Sequence, residues 1–195
     1  MSGLFLGVDT SNYTTSVSCV STEGIVFERR TMLSVPLGER GLRQSDAVFQ
    51  HVRNLPPLIE AMLGAVDRES IAAVAVSSKP TGAEKSYMPV FLAGKLAAVS
   101  IASSLGVPLF ETTHQAGHVR AALLGQEERF SQSLFLAMHL SGGTTDLLLV
   151  RSERGLIGEI ERIGGSEDLH AGQFVDRVGV RLGLPFPSGV SLEAL

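Results

Sequence analysis

His114 and His118 stand four residues apart in a stretch of helix formers, His114-Gln115-Ala116-Gly117-His118. In a helix that spacing puts both imidazoles on one face, within reach of a single divalent ion. A stable ion needs a third protein ligand and usually water, so one helix-capping and one exposed histidine is the competing account. A zinc peptidase would carry Glu directly after the first His as general base. Gln115 stands there instead. An amide takes no proton at neutral pH, which counts against peptide hydrolysis.

Asp9 closes an apolar run and leads into Thr10 and Ser11. A carboxylate at the carboxyl end of a strand in an α/β sheet lies where such folds bind ligands, placed for catalysis: to hold a metal-bound water or position a phosphate. A turn residue accepting local backbone N–H bonds is the alternative. Asp176 sits among Phe174, Val175 and Val178 in a helical stretch. It either holds something specific, such as a ribose hydroxyl pair, or pairs with Arg177 or Arg181. Gly172 and Gly179 weaken that same helix by about 1 kcal/mol each against Ala, and they permit close approach of a neighbour or ligand. Ser141-Gly142-Gly143-Thr144 separates two apolar runs. That pattern predicts a β-hairpin whose paired glycines take φ > 0 and leave N–H groups uncovered, able to converge on a phosphate.

The elements that must carry these residues follow from an internal echo. Residues 5–20 slide onto 135–150 without a gap: Phe5 meets Phe135, Ser11 meets Ser141, Thr14 meets Thr144, Thr15 meets Thr145 and Val20 meets Val150. Both copies read strand, polar loop, strand, and a repeat at this spacing implies two duplicated domains. Strands are expected over 4–9, 15–21 and 25–31, a three-stranded meander. A loop at 36–41 leads to a helix capped by Ser45 or Asp46 and running to 65, kinked or broken at Pro56-Pro57. His51 on it reads as a half-exposed surface residue. A strand at 71–77, a small-residue helix at 91–105 stopped by Gly106, and a strand at 107–110 complete a mixed sheet with flanking helices. Then come a helix at 114–124, a polar linker at 125–132, the second hairpin, a third strand at 159–163, a loop at 164–166 and a helix at 168–182 capped by Asp168. This divides the chain into residues 1–132 and a beginning of a second domain at 133–195, without the later strands and helices of the first.

The 195 residues are 44% hydrophobic and 18% charged, the balance of a globular chain. A net charge of −4 gives no electrostatic footprint for nucleic acid, so an RNA substrate would need local contacts or partner proteins. The single cysteine, Cys19, lies in an expected strand as a small buried apolar residue and permits no disulfide within the chain. With no long apolar segment and no basic leader, a cytoplasmic protein without membrane contact is expected.

These residues are similar to a known family. The opening Leu6-Gly7-Val8-Asp9-Thr10-Ser11, His51-Val52-Arg53 followed by Leu58-Ile59, the His114–His118 motif, Ser141-Gly-Gly-Thr-Thr-Asp-Leu147 and the segment from Asp168 to Pro187-Ser188-Gly189 together resemble the universal tRNA N6-threonylcarbamoyladenosine transferases, once called O-sialoglycoprotein endopeptidases. The resemblance covers the chain but only about the first three-fifths of a family member. It implies duplicated ribonuclease-H-like domains of the actin/Hsp70/sugar-kinase superfamily, the second incomplete.

It also implies roles. His114 and His118 would be two of three protein ligands to a divalent metal ion, iron or zinc, with magnesium as a further choice. His139, Leu140, Ser141, Gly142 and Gly143 would line the phosphate region of threonylcarbamoyl-adenylate or an ATP-like nucleotide. Asp176 would hold its ribose and Gly189 would lie against it. The reaction would be attack by N6 of adenosine 37 of tRNA, presented with partner proteins, on the carbamoyl carbon. A paralogous partner or a homodimer is the implied assembly. Three departures mark a divergent bacterial paralogue: Asn12-Tyr13-Thr14 replaces Cys-Asp-Glu, Lys79-Pro80-Thr81 replaces Gly-Pro-Gly, and Thr144 replaces His. The family's third metal ligand, an Asp, would lie beyond Leu195. A non-catalytic dimerisation or nucleotide-binding platform is the alternative function. A small-molecule kinase of the superfamily fits less well, because such kinases hold Mg²⁺ through carboxylates and phosphate.

Overall fold

The computed structural model describes residues 3–36, 41–130, 132–153 and 156–195. The chain forms two compact units, Met1–Ser34 with Leu42–Gly117 and Val35–Gly41 with His118–Leu195. Most of the loop expected at 36–41 lies outside the described residues. No helix among the described residues is long and apolar enough to cross a membrane.

In the first unit β1 (Leu4–Asp9), β2 (Thr14–Ser21) and β3 (Gly24–Met32) form the expected antiparallel meander. Helix α1 (Gln44–Ala65) leads to β4 (Ile71–Lys79), and α2 (Phe91–Leu105) leads to β5 (Leu109–Thr113). Both later strands lie parallel to β1, in the order β3-β2-β1-β4-β5, because each helix returns the chain to the same end of the sheet. Alternation puts Leu6 and Val8 of β1 and Val17 and Cys19 of β2 on one face, buried under Leu55, Leu58 and Met62 of α1 and Ala93, Ala98 and Ala102 of α2. Burying each larger side chain stabilises the fold by about 1.5–3 kcal/mol. Gly106 ends α2 in the left-handed region, φ 67°, as its position predicts.

Helix α1 corrects three expectations. Neither Ser45 nor Asp46 caps it; the cap position is Arg43, and Asp46 sits in the first turn, where its charge favours the helix dipole. Of the kink or break expected at Pro56-Pro57, the break is absent, and the helix runs on through both residues. Their missing N–H groups leave two carbonyls unbonded, but Leu55, Leu58 and Met62 hold the helix to the sheet on both sides of the pair. His51 is fully buried, not half exposed. The buried stripe runs Ala47, His51, Leu55, Leu58, Met62, one position before the Val48–Val52 stripe that hydropathy suggests.

In the second unit β6 (Gln132–Leu140), β7 (Thr145–Glu153) and β8 (Leu156–Gly165) form an antiparallel sheet in chain order. Gly164 and Gly165, expected in a loop, belong to β8. Helix α3 (His114–Ala122) precedes this sheet; α4 (Ala171–Arg181) and α5 (Gly189–Glu193) follow it. The N-cap of α4 is His170, not Asp168. The Ser166 hydroxyl donates to the Leu169 carbonyl at 2.8 Å and accepts from the Asp168 N–H at 3.3 Å, so a local turn occupies 166–169 and delays the helix. Val119, Leu123, Leu148 and Val150 form the core, with Phe130, Phe135, Ala137 and Ile160 packed against it.

The echo holds at the level of pairing. Phe5 faces Val20 and Phe135 faces Val150; Asp9 faces Ser16 and His139 faces Asp146. The covered face is inverted. Leu6 and Val8 are buried, whereas their counterparts Leu136 and Met138 are 60% and 67% exposed. Leu148 and Val150 are buried instead, on the other side of the second sheet.

Candidate functional site

In the first unit α1, α2 and His114 hold the segment that follows β1. The Thr10 hydroxyl donates to the Val90 carbonyl at 2.8 Å and accepts the Gly94 N–H at 3.0 Å, both at the start of α2. A Cβ on Gly94 would stand 2.7 Å from Thr10 Oγ1, so only glycine admits this approach. On the α1 side, Thr15 Oγ1 lies 2.8 Å from His51 Nδ1, and His51 Nε2 lies 3.3 Å from the Asn12 carbonyl oxygen. On the α3 side, His114 Nδ1 lies 3.1 Å from Asp9 Oδ2.

Asp9 Oδ1 accepts the Ser11 N–H at 2.7 Å and the Ser11 hydroxyl. Burial would raise the Asp9 carboxyl, but the hydrogen bond and charge of His114, with the hydroxyls of Ser11 and Ser77, outweigh it and hold the pKa at about 2. The Asp9 carboxylate can only accept, so the Nδ1–H of His114 donates to it and the ring is oriented by that bond. Nε2 lies 3.4 Å from Ser11 Oγ. Asp9 thus accepts the local backbone bond of a turn residue and orients His114 as well.

His114 does not cap α3; Thr113 does, its Oγ1 accepting the Ala116 N–H at 3.0 Å. Gln115 is buried, its N–H donating to the Pro80 carbonyl at 3.0 Å. His118 falls in the second unit, where its ring lies 5.0 Å from that of His139. Among the described residues no three His, Cys, Asp or Glu side chains are grouped to hold a metal ion. Within the first unit His114, oriented by the Asp9 carboxylate, is the member of the expected histidine pair whose chemistry suits a divalent ion.

In the second unit the hairpin tip Ser141–Thr144 differs from expectation. Gly142 and Gly143 are not among the glycines with positive φ. The N–H groups of Gly143 and Thr144 donate to Ser141 Oγ at 3.2 and 3.0 Å, so the tip is closed on the serine hydroxyl rather than uncovered. The Thr144 hydroxyl lies 2.6 Å from the same oxygen. The start of α4 is pinned beneath: Ala171 N–H donates to Thr145 Oγ1 at 2.7 Å and Gly172 N–H to the Ser141 carbonyl at 3.0 Å.

Asp176 pairs with neither Arg177 nor Arg181. Its Oδ1 accepts the Ser188 N–H at 2.8 Å, which brings Gly189 beside it. A Cβ on Gly179 would stand 2.2 Å from Ser188 Cβ, so this glycine also serves close approach. Around Gly189 the space for a Cβ is open. His139 faces Asp146 across the hairpin, and Arg162 Nε donates to Asp146 Oδ1 at 2.6 Å; Leu140 points to the opposite, exposed face. Hydropathy gave no signal for two contributors, Thr10 and His51. The i, i+4 spacing of His51 from Ala47 and Leu55 was the available clue.

Among solved structures the chain is similar to YeaZ from Pseudomonas aeruginosa, with a TM-score of 0.50 and 16% identity over 88% of this chain and 68% of that one. A second Pseudomonas aeruginosa protein, described as similar to peptidase YeaZ, gives a TM-score of 0.51 at 16% identity over 85% and 71%. At that identity they show the fold alone, an α/β architecture. In sequence the chain is 32% identical over 197 residues to the tRNA N6-adenosine threonylcarbamoyltransferase of Carboxydothermus hydrogenoformans, covering all of this chain and 56% of that protein. It is 32% identical over 199 residues to the protein of that name from Lacticaseibacillus casei, covering 98% and 54%. The chain spans about half the length of the curated relatives it matches. The sequence profile described as tRNA N6-adenosine threonylcarbamoyltransferase matches residues 37–195, from before α1 to beyond α5, and by that match the chain belongs to the tRNA N6-adenosine threonylcarbamoyltransferase family.

Proposed function

We propose that this chain takes part in transfer of a threonylcarbamoyl group from threonylcarbamoyl-adenylate to N6 of adenosine 37 in tRNA, in company with partner proteins. The profile match over residues 37–195 carries this proposal, and the Asp9–His114 pair supports it. His114 and His118 would hold a divalent ion, which when bound supplies Lewis-acid polarisation of the substrate oxygens. Asp9 orients His114 for that task. The Ser141–Thr144 tip would meet the adenylate phosphate, whose oxygen takes the place of Ser141 Oγ at the Gly143 and Thr144 amides. His139 and Leu140 lead into this tip. Asp176 Oδ2 would hold a ribose hydroxyl, with Oδ1 kept on Ser188, and the open side of Gly189 would take the nucleoside. The cytoplasm is the compartment in which tRNA and these partners meet.

The test supplies threonylcarbamoyl-adenylate, tRNA and the partner proteins of a relative, and reads the modified nucleoside by mass spectrometry. Transfer that His114→Ala abolishes supports the proposal. Nucleotide binding without transfer moves the chain to the platform role, which the replacement of the family's Cys-Asp-Glu by Asn12-Tyr13-Thr14 favours.

A further inference from the structure

The described residues contain one fully buried histidine, His51, and its hydrogen bonds run in one direction only. The Asn12 carbonyl can only accept, so His51 Nε2 carries the proton. Nδ1 of that neutral ring can then only accept, so the Thr15 hydroxyl donates to it. Thr15 Oγ1 in turn accepts the Asn54 Nδ2–H at 3.2 Å. Donation runs from Asn54 to Thr15, from Thr15 to His51 and from His51 to the Asn12 carbonyl. It ends on a group that can only accept, and it ties α1 to the first hairpin tip and to the start of β2. Asn12 sits at that tip with φ 51°, a conformation that costs a non-glycine residue energy and persists where its surroundings impose it. Tyr13, next along, receives the Leu33 N–H on its carbonyl at 2.8 Å.

We propose that His51 is a positioning residue: its neutral ring fixes Asn12 and Thr15 and thereby holds the Asp9–Ser11 segment where Asp9 meets His114. Thr10 is fixed from α2, so the segment is clamped from two helices while the third, α3, presents the imidazole it orients. The importance of the clamp to function rests on the Asp9–His114 assignment above; the clamp itself does not.

The experiment uses the whole chain. Ring nitrogen shifts at neutral pH are expected to show His51 as the Nε2–H tautomer. His51→Phe fills the space without either hydrogen bond. Amide exchange at Ser11, Tyr13 and Thr14 should then rise at least tenfold, with Val74 and Val76 of β4 unchanged, and Zn²⁺ affinity should fall by about tenfold, the usual effect of losing a supporting partner. His51→Gln, which can still donate to the Asn12 carbonyl, should restore part of both. Thr15→Val cuts the chain at a second link and should give the same local exchange if His51→Phe unfolds the protein. The proposal is overturned by an Nδ1–H tautomer, or by unchanged exchange at the tip in both variants. Wild-type protein that binds no Zn²⁺ sinks the metal assignment but leaves the exchange result to decide the clamp.

Discussion

Gly172 donates its N–H to the Ser141 carbonyl at 3.0 Å, and a Cβ at position 172 would stand 2.6 Å from that same oxygen and 2.5 Å from Gly142 N. Helix α4 and the second hairpin tip therefore meet backbone to backbone. Neither partner is a flexible side chain that could move aside.

Gly172→Ala should destabilise the second unit by about 2–4 kcal/mol, although Ala is the better helix former by about 1 kcal/mol. Gly64→Ala in α1, where a Cβ meets nothing within 4 Å, should stabilise by about 0.5–1 kcal/mol. Urea unfolding of the two variants checks the opposite signs. Equal effects would remove the steric argument.

His51 gives stability a pH dependence. Burial lowers its pKa from 6.5, against the Asn12 carbonyl and the charge of Asp9, which favour the proton. As pH falls the unfolded state takes up the proton first, so the contribution is full above 6.5 and is lost as pH falls through the folded value. The urea midpoint of the wild type should drop as pH falls below 6.5, and His51→Gln should lack that part of the drop.

Asp9 acts in a lower window. Its pKa is 3.8 unperturbed and about 2 when folded, so its contribution stands above 3.8 and disappears between 3.8 and about 2. The difference is worth on the order of 2 kcal/mol at neutral pH. Asp9→Asn should be less stable than wild type at pH 7, with the gap closing near pH 2. A gap that persists at pH 2 would trace the loss to packing instead of charge.

Arg162→Ala leaves the buried Asp146 carboxylate without its 2.6 Å partner. The Arg162 side chain is about half exposed, which moderates the loss to about 1–3 kcal/mol. A double-mutant cycle with Asp146→Asn should recover part of it, and strict additivity would show that the pair is not coupled.

The two hairpins were legible because alternating apolar residues, a polar tip of fixed length and a gapless echo determine register together. Thr15 and Thr145 show how far this reaches. They match in sequence, and each hydroxyl is tied to a helix, Thr15 to His51 and Asn54 and Thr145 to Ala171 N–H. Which face a helix covers was not legible, since both faces of the second sheet carry large apolar residues. His51 was misjudged because hydropathy ranks it as polar, whereas its burial depends on partners at residues 12 and 15 that local sequence does not reveal. Helix starts failed for other reasons: a local turn at Ser166–Leu169 leaves His170 as the cap of α4, and Arg43 takes the cap position of α1 with no side-chain cap bond. His114 and Asp9 were legible as chemistry, but their 3.1 Å meeting joins residues 105 apart in sequence.

Leu134, Leu136, Met138 and Leu140 stand in a row on β6, each more than half exposed. Such a surface governs how the chain behaves in a flask. Sulfate and other excluded salts raise the cost of leaving it wet, so salting-out should begin early, while mild detergent or a chaperone can shield it. The row also gives hydrophobic-interaction chromatography a handle on the folded chain that its net charge of −4 does not provide.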